Sequence, residues 1–468
     1  MGLLHPPEPW TLPRAPPYNA SFLSAGRIAL ETLAVEMTAR KNYGELVAAY
    51  ALRLHAAAGE RHHVVSPLGA WLLVALTAPL ASGSDRERLE SALGCDVETA
   101  RRAADELLEK PHPALALAFA TWHRGDIGAG LDAWRRSLPP CATTGPMPTQ
   151  ARANEWAREQ TRGQIASMPV AINDDFRLLL ATAVATEVQW QRAFHLVPAA
   201  QLGGPWATRV NRVMRRDHDN LDGVARTEAA GLVGVSHEPS RDGLDIISVI
   251  AAPDVEAARV IAAAYEVAAC LEDLPSTAAF VDAFDLPDRG HAWVVRDRVL
   301  ENFRGPERIE RYEVTIPAWT AQTELDDLIE APGTGFPEIV GAILRLLPPD
   351  PRGDRAQATQ VARARFDTNG FSAAALTISM VVGAILPPPP RRTIERTVEV
   401  RFDRPFAVVA QTNTPGFSRQ GGVLWGGLPA FGAWVTEPIE PSEPNETDED
   451  GLRRLPKESG WKGLWRAR

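Results

Sequence analysis

The chain of 468 residues is 45% hydrophobic and 23% charged, which supplies apolar material for a large core and excludes a wholly disordered protein. Its net charge of −10 argues against a nucleic-acid partner, because displacing counterions from phosphate needs a basic face. Cys95, Cys141 and Cys270 are widely separated, which excludes a disulfide framework or a paired-cysteine zinc site.

Met1 to Tyr18 carries Pro6, Pro7, Pro9, Pro13, Pro16 and Pro17, with neither the basic start nor the apolar run of a secretion signal. Residues 1–20 therefore read as a disordered tail, and a cytoplasmic location is expected, with an extracellular one as the alternative. The core opens with an apolar helical pattern near Leu46 to Ala58. Ser66 and Pro67 suit the cap and first turn of a buried helix. Ser84 with Glu87 forms a capping-box pattern, Leu89 and Leu93 share a face, and Gly94 suits a left-handed exit. Leu115, Leu117, Phe119 and Thr121 alternate with small residues as a strand does.

A helix is predicted over Asn154 to Ile165, closed by Gly163, and then a buried strand over Leu178 to Ala185 leading to Trp190 and Phe194. Further strands are predicted at Ile246 to Ala251, Tyr312 to Ile316, Thr397 to Phe402, Phe406 to Ala410 and Val423 to Trp425. No linker or repeat interrupts residues 21–436, so they read as one α+β domain with a large mixed sheet. Residues 437–468, acidic and proline-dotted and then basic, read as a second tail.

Several patterns have bland readings. His62-His63 lacks a third ligand at a useful spacing. In Asp217 to Gly223 a leucine occupies a calcium-ligand position. Gly333-Thr334-Gly335 is a turn. No Gly-x-Ser-x-Gly elbow or catalytic pair is evident, and charges, glycines or prolines interrupt every apolar stretch. No metal, no cofactor, no membrane partner and no enzymatic activity are expected.

Asn154-Glu155-Trp156-Ala157-Arg158-Glu159-Gln160-Thr161-Arg162-Gly163-Gln164-Ile165 matches the pattern Asn-x-Trp-x-x-x-x-Thr-x-Gly-x-Ile of the serpins. From roughly Glu45 to Gly427 further pieces resemble that family in its own order. They are Ser66-Pro67-Leu68, Trp190 with Phe194, Val314 to Trp319, Asp403 to Phe406, and Gly370-Phe371-Ser372-Ala373-Ala374-Ala375-Leu376-Thr377. The chain thus resembles a divergent, bacterial-type serpin. The resemblance implies a monomer with the serpin fold, about eight to nine helices and an exposed reactive loop near residues 368–396. It further implies suicide-substrate inhibition of a serine protease, in which the cut loop inserts into the central sheet.

An inserting strand must be uncharged, and small on the face that enters the core. Gly370 to Leu386 carries no charge and no proline; Ala373, Ala375, Thr377 and Ser379 form one alternate set, and Ala374, Leu376, Ile378 and Met380 the other. The implied hinge is Thr368, Gly370, Phe371, Ser372, Ala373, Ala374, Ala375 and Thr377. Phe371 stands where the family usually has threonine or serine, and Thr368 where it usually has glutamate. These departures support the alternative of a non-inhibitory binding or interaction protein on the same fold. The family's usual spacing from Gly370 places the reactive bond at Ala384-Ile385, suited to elastase-like or subtilisin-like proteases. Arg392-Thr393 is a second candidate, reached across Pro387 to Pro390, which cannot donate to a central strand. The implied sheet-opening residues are Ser66, Thr182, Gln360 and Trp190.

Overall fold

A computed structural model of the chain describes residues 43–168, 170–173, 176–217, 222–272, 274–325, 328–349, 358, 360–371, 391–413 and 422–443. The chain enters with α1 (Tyr43–Ala58), β1 (His63–Val65) and α2 (Pro67–Thr77). Ser66 caps α2 by accepting from the Gly69 N–H, and Pro67 occupies the first turn. Apart from Leu73 every residue of α2 is buried, so this helix forms the back layer of the molecule.

In α3 (Gly83–Leu93) the helix starts before Ser84, and Ser82 occupies the cap without a side-chain bond, so the capping box expected at Ser84 does not form. The left-handed exit at Gly94 does form, with φ 76°. Asp96 caps α4 (Val97–Glu109) through the Thr99 N–H. After β2 (Leu115–His123), α5 (Gly128–Arg136) and β3 (Thr143–Pro146) comes α6 (Gln150–Gln160). Its actual cap is Thr149, and it ends at Thr161 before the left-handed Arg162 and Gly163.

Next are β4 (Leu178–Thr186), β5 (Val188–Gln189), β6 (His195–Pro198), β7 (Arg212–Asp217), β8 (Gly223–Thr227), β9 (Gly231–Pro239) and β10 (Leu244–Ile250). The long α7 (Ala257–Leu271) precedes β11 (Ala279–Phe280), β12 (Trp293–Phe303), β13 (Arg308–Ile316) and β14 (Trp319–Leu325). Then come α8 (Phe336–Leu346), β15 (Gln360–Phe366), β16 (Gly370–Phe371), β17 (Arg391–Arg401), β18 (Phe406–Thr412), a single helical turn α9 (Gly422–Trp425) and β19 (Pro429–Val435). The strand expected at Val423 to Trp425 is thus this helical turn. Gly427 follows it with φ 63°, the Trp425 indole N–H donates to Lys110 O (2.8 Å), and extended pairing begins only at Pro429.

The strands form three layers. One sheet runs β1-β19-β18-β10-β9-β8-β11 and another β12-β17-β13-β7-β6. The central sheet is divided into two leaves, β3-β2-β4 and β15-β14, and among the described residues no ladder joins β4 to β15. A continuous apolar core containing Trp71, Phe119, Trp319, Phe366 and Phe406 lies behind the leaves, and a smaller cluster around Trp122, Trp156, Leu179 and Ala181 seats α6 in front of β4. Cys95, Cys141 and Cys270 form no disulfide.

One expected boundary changes. Residues 437–443, assigned by composition to a tail, are ordered against the sheets, with the Ile439 N–H donating to Ala318 O (2.8 Å). The tail expected at residues 1–20 lies outside the described residues, as do residues 444–468.

Candidate functional site

The gap between the leaves is the most distinctive feature of the molecule. It contains a cavity of about 190 Å3 that is lined from the β4 side by Leu178 to Ala185 and from the β15 side by Gln360 to Arg363. That exceeds the ~150 Å3 of engineered cavities that admit benzene, so side chains can enter it. Leu73 of α2 and Phe431 of β19 floor the cavity, and Trp156, Ile165 and Met168 cover its front.

The cover is built by the motif residues. Trp156 meets Trp122 edge to face at 5.2 Å, and its indole N–H donates to Thr143 Oγ1 (3.3 Å). The Thr161 hydroxyl donates to Ala157 O (2.7 Å) and accepts from the Ile165 N–H (3.0 Å). Asn154 Oδ1 accepts from the Met168 N–H (2.9 Å). These residues fold the chain after α6 back across β4, so the spacing in the sequence reflects local turn chemistry rather than ligand binding.

Ser66, Thr182 and Gln360 are brought together on the cavity wall. The Gln360 amide clasps the Ser66 backbone in both directions, its Oε1 accepting from Ser66 N (3.1 Å) and its Nε2 donating to Ser66 O (2.9 Å). Ser66 Oγ donates to Ala430 O (3.0 Å). A Cβ on Gly69 would lie 3.2 Å from Ser66 Oγ, 3.5 Å from Thr182 Oγ1 and 3.1 Å from Val184 Cγ2, so glycine lets α2 close on β4. The first residue of β15 is therefore tied to the back layer by side-chain bonds and not to β4 by a ladder.

At the upper end of the gap, β15 turns at Asp367 to Gly370 and re-enters as β16, which pairs antiparallel with β5: Gly370 faces Gln189 and Phe371 faces Val188. Because β5 continues β4, a strand following this direction runs antiparallel to both leaves. Gly370 has φ 148°, and a Cβ there would fall 2.4 Å from Val188 O, so only glycine fits. Trp190 supports the turn by donating its indole N–H to Asp367 O (2.9 Å), and its ring packs on Phe366 (5.0 Å) and Phe194 (6.1 Å). Burial raises the Asp367 pKa, but hydrogen bonds from Arg365, the Thr368 N–H and Ser442 outweigh it and hold the carboxyl below its ordinary value.

Thr368 is buried, and its hydroxyl donates to Ser442 O (2.6 Å). Composition and spacing carry no sign of this contact with the C-terminal segment. Ser372, Ala373, Ala374, Ala375, Thr377, Ala384 and Ile385 lie outside the described residues. Arg392 and Thr393 lie inside β17, where Thr393 is buried opposite Leu300 and its hydroxyl donates to Pro306 O (2.8 Å). A protease binds free extended chain, and a residue held this way is withheld from it.

The bland motifs are absorbed into structure. His62 Nε2 bonds Thr320 O (2.9 Å), and Asp222 pairs with Arg216 (2.7 Å). Gly333 and Gly335 have positive φ ahead of α8. Among the described residues no group of three or more potential ligands gathers around a metal position, and no helix is long and apolar enough to cross a membrane.

No family model matches the chain, and no curated protein matches it in sequence. Among solved structures it is similar to the thermophilic serpin tengpin in its native state, with 14% identity, 84% of this chain and 93% of that one covered, and a TM-score of 0.53. It is also similar to a serpin of the insect Tenebrio molitor, at 14% identity, 85% and 99% coverage and a TM-score of 0.52. A third is human thyroxine-binding globulin complexed with thyroxine, at 11% identity, 85% and 98% coverage and a TM-score of 0.51. At these identities the likeness concerns the backbone. The chain has the serpin fold, an α+β architecture with, among its described residues, eight α-helices and the additional turn α9.

Proposed function

We propose that the protein inhibits a serine protease as a suicide substrate. The observation that carries this reading is the start of a strand, Gly370–Phe371, already paired with β5 at the mouth of a gap whose two edges, among the described residues, no ladder joins. In this reading the protease serine attacks the carbonyl of Ala384. The bond to Ile385 breaks, the new amine leaves with a proton, and the protease remains bound as an ester. Insertion of residues 372–384 between β4 and β15 then completes ladders on both edges and drags the acylated protease before water reaches the ester. The driving force is the added hydrogen bonding and burial. Arg392–Thr393 fits this reading poorly, being held within β17.

The partner is then a serine protease with a small or apolar specificity pocket, of elastase-like or subtilisin-like type, and the inhibitor acts as a monomer without a cofactor. The test is incubation with elastase, subtilisin and trypsin. An SDS-stable adduct is expected, together with a C-terminal fragment beginning at Ile385 that separates on denaturation; loop cleavage by all three with no adduct refutes trapping of these enzymes.

A second reading, a non-inhibitory binding protein, is favoured by the similarity to thyroxine-binding globulin and by Phe371 at the first inserting position. It predicts no rise in melting temperature after the loop is nicked, whereas insertion predicts a rise of tens of degrees.

A further inference from the structure

The turn that starts β16 is poorly made by itself. Two-residue hairpins favour turns whose central residues have positive φ, because only those match the twist of the strands. Arg162 is the sole non-glycine residue with positive φ among those described, so Thr368 and Asn369 lack it. The two ladder bonds between Asp367 and Gly370 are both long, at 3.3 Å. Something outside the hairpin has to hold it.

That support comes from the C-terminal segment. Asp367 Oδ1 accepts from the Thr368 N–H (2.8 Å) and the Ser442 N–H (2.9 Å). The Thr368 hydroxyl returns a bond to Ser442 O, and Arg365 donates to Asp367 Oδ2 (2.5 Å) and Ser442 Oγ (2.6 Å). Asn369 Nδ2 donates to Glu443 O (3.3 Å). The segment is moored independently of the turn. Ile439 bonds Ala318, Glu440 accepts from the Asn211 N–H (2.8 Å), and Glu443 pairs with Arg212 (2.6 Å).

We propose that Ile439 to Glu443 is a clasp that fastens the Asp367–Gly370 turn, with Asp367 and Thr368 as positioning residues that set β16 in register on β5. The clasp's consequence for the loop rests on the insertion reading above: a held turn delivers the cut strand to the gap in register, and an unheld one leaves the loop to be hydrolysed as an ordinary substrate.

The first test needs no protease. Hydrogen exchange in the uncut protein is followed for peptides covering residues 360–371, in the full chain, in a chain truncated after Glu440, in Thr368→Val and in Thr368→Ser. Protection at Gly370 and Phe371 should fall at least tenfold in the truncation and in the valine variant, return in the serine variant, and stay unchanged in β10 and β18 throughout. Equal protection in all four proteins overturns the clasp, and Thr368→Val keeps the test decisive if truncation harms folding. The second test nicks the loop and follows the rise in melting temperature. A rise in the full chain that is at least several-fold slower in Thr368→Val supports the clasp's role in insertion, and an equal rate refutes that role. No rise in the full chain removes the insertion reading, while the exchange result still decides the clasp.

Discussion

Gly370 and Gln189 face each other across a two-residue antiparallel ladder, and the missing Cβ of Gly370 would sit 2.4 Å from the neighbouring Val188 carbonyl oxygen. Gly370→Ala therefore meets both a steric clash and a backbone conformation that costs about 1–3 kcal/mol. The core should fold unchanged, because the ladder is peripheral to it. Circular dichroism should match the parent, while the nicked variant should lose most of the gain in melting temperature shown by the nicked parent. An undiminished gain would show that insertion does not begin at β16.

The strand after the loop is gripped on both edges. β17 pairs over nine residues with β12 and over eight with β13. Arg396 adds a two-pronged bond to Asp297, at 2.7 and 2.8 Å. An uncut loop can insert fully only if β17 leaves this sheet, so the intact protein should resist spontaneous conversion. The Arg396–Asp297 pair is partly exposed and worth no more than about 1 kcal/mol. Asp297→Asn should therefore speed conversion of the uncut protein only a few-fold, read by native electrophoresis after warming. No change would place the barrier elsewhere.

A buried chain of hydrogen bonds should make stability depend on pH. His63 Nδ1 donates to Arg61 O, leaving His63 Nε2 to accept from His55 Nδ1 (2.7 Å) and His55 Nε2 to accept from the Tyr265 hydroxyl (3.2 Å). Both rings are thereby neutral, and burial first of all holds both pKa values below normal. The unfolded chain takes up these protons near pH 6.5, so the stabilisation is complete above that pH and is lost as pH falls toward the folded-state values. The slope is at most about 1.4 kcal/mol per pH unit for each ring. Urea midpoints between pH 7.5 and 5 should fall, and His63→Gln should flatten the decline. An unaltered slope would exclude this pair as its source.

Arg216 is buried with Asp222 and Glu238, and lies over the Phe194 ring at 5.3 Å. Arg216→Met leaves two buried carboxylates without their cation, at a cost of about 3–5 kcal/mol. Chemical denaturation should register that loss; one below about 1 kcal/mol would mean that the carboxylates find other partners.

Much of this architecture was legible in short-range patterns. Ser66 before Pro67, the closing glycine Gly163 after α6 and the apolar β4 each announce themselves within a dozen residues, because caps, helix stops and strand patterns are local. The grouping of Ser66, Thr182 and Gln360 followed only from the resemblance. Ser84 misled because Gly83 already enters α3, and Val423 to Trp425 misled because an apolar triplet carries no period. The contact of Asp367 with Ser442 was invisible, since it joins distant residues through backbone atoms that leave no mark on residue type. The same holds for β12, whose run of charged residues, Arg296, Asp297, Arg298 and Glu301, hides its role as a partner of β17.

The position of β17 between β12 and β13 also determines what a severed molecule is. The piece released from covalent connection by any cut in residues 372–390 carries β17, β18 and β19, which are interior or near-interior members of two sheets. It cannot diffuse away without dismantling both. A cleaved molecule should therefore elute as a single particle of unchanged mass, dividing into two polypeptides only under denaturation, and an affinity tag at either terminus should recover both pieces.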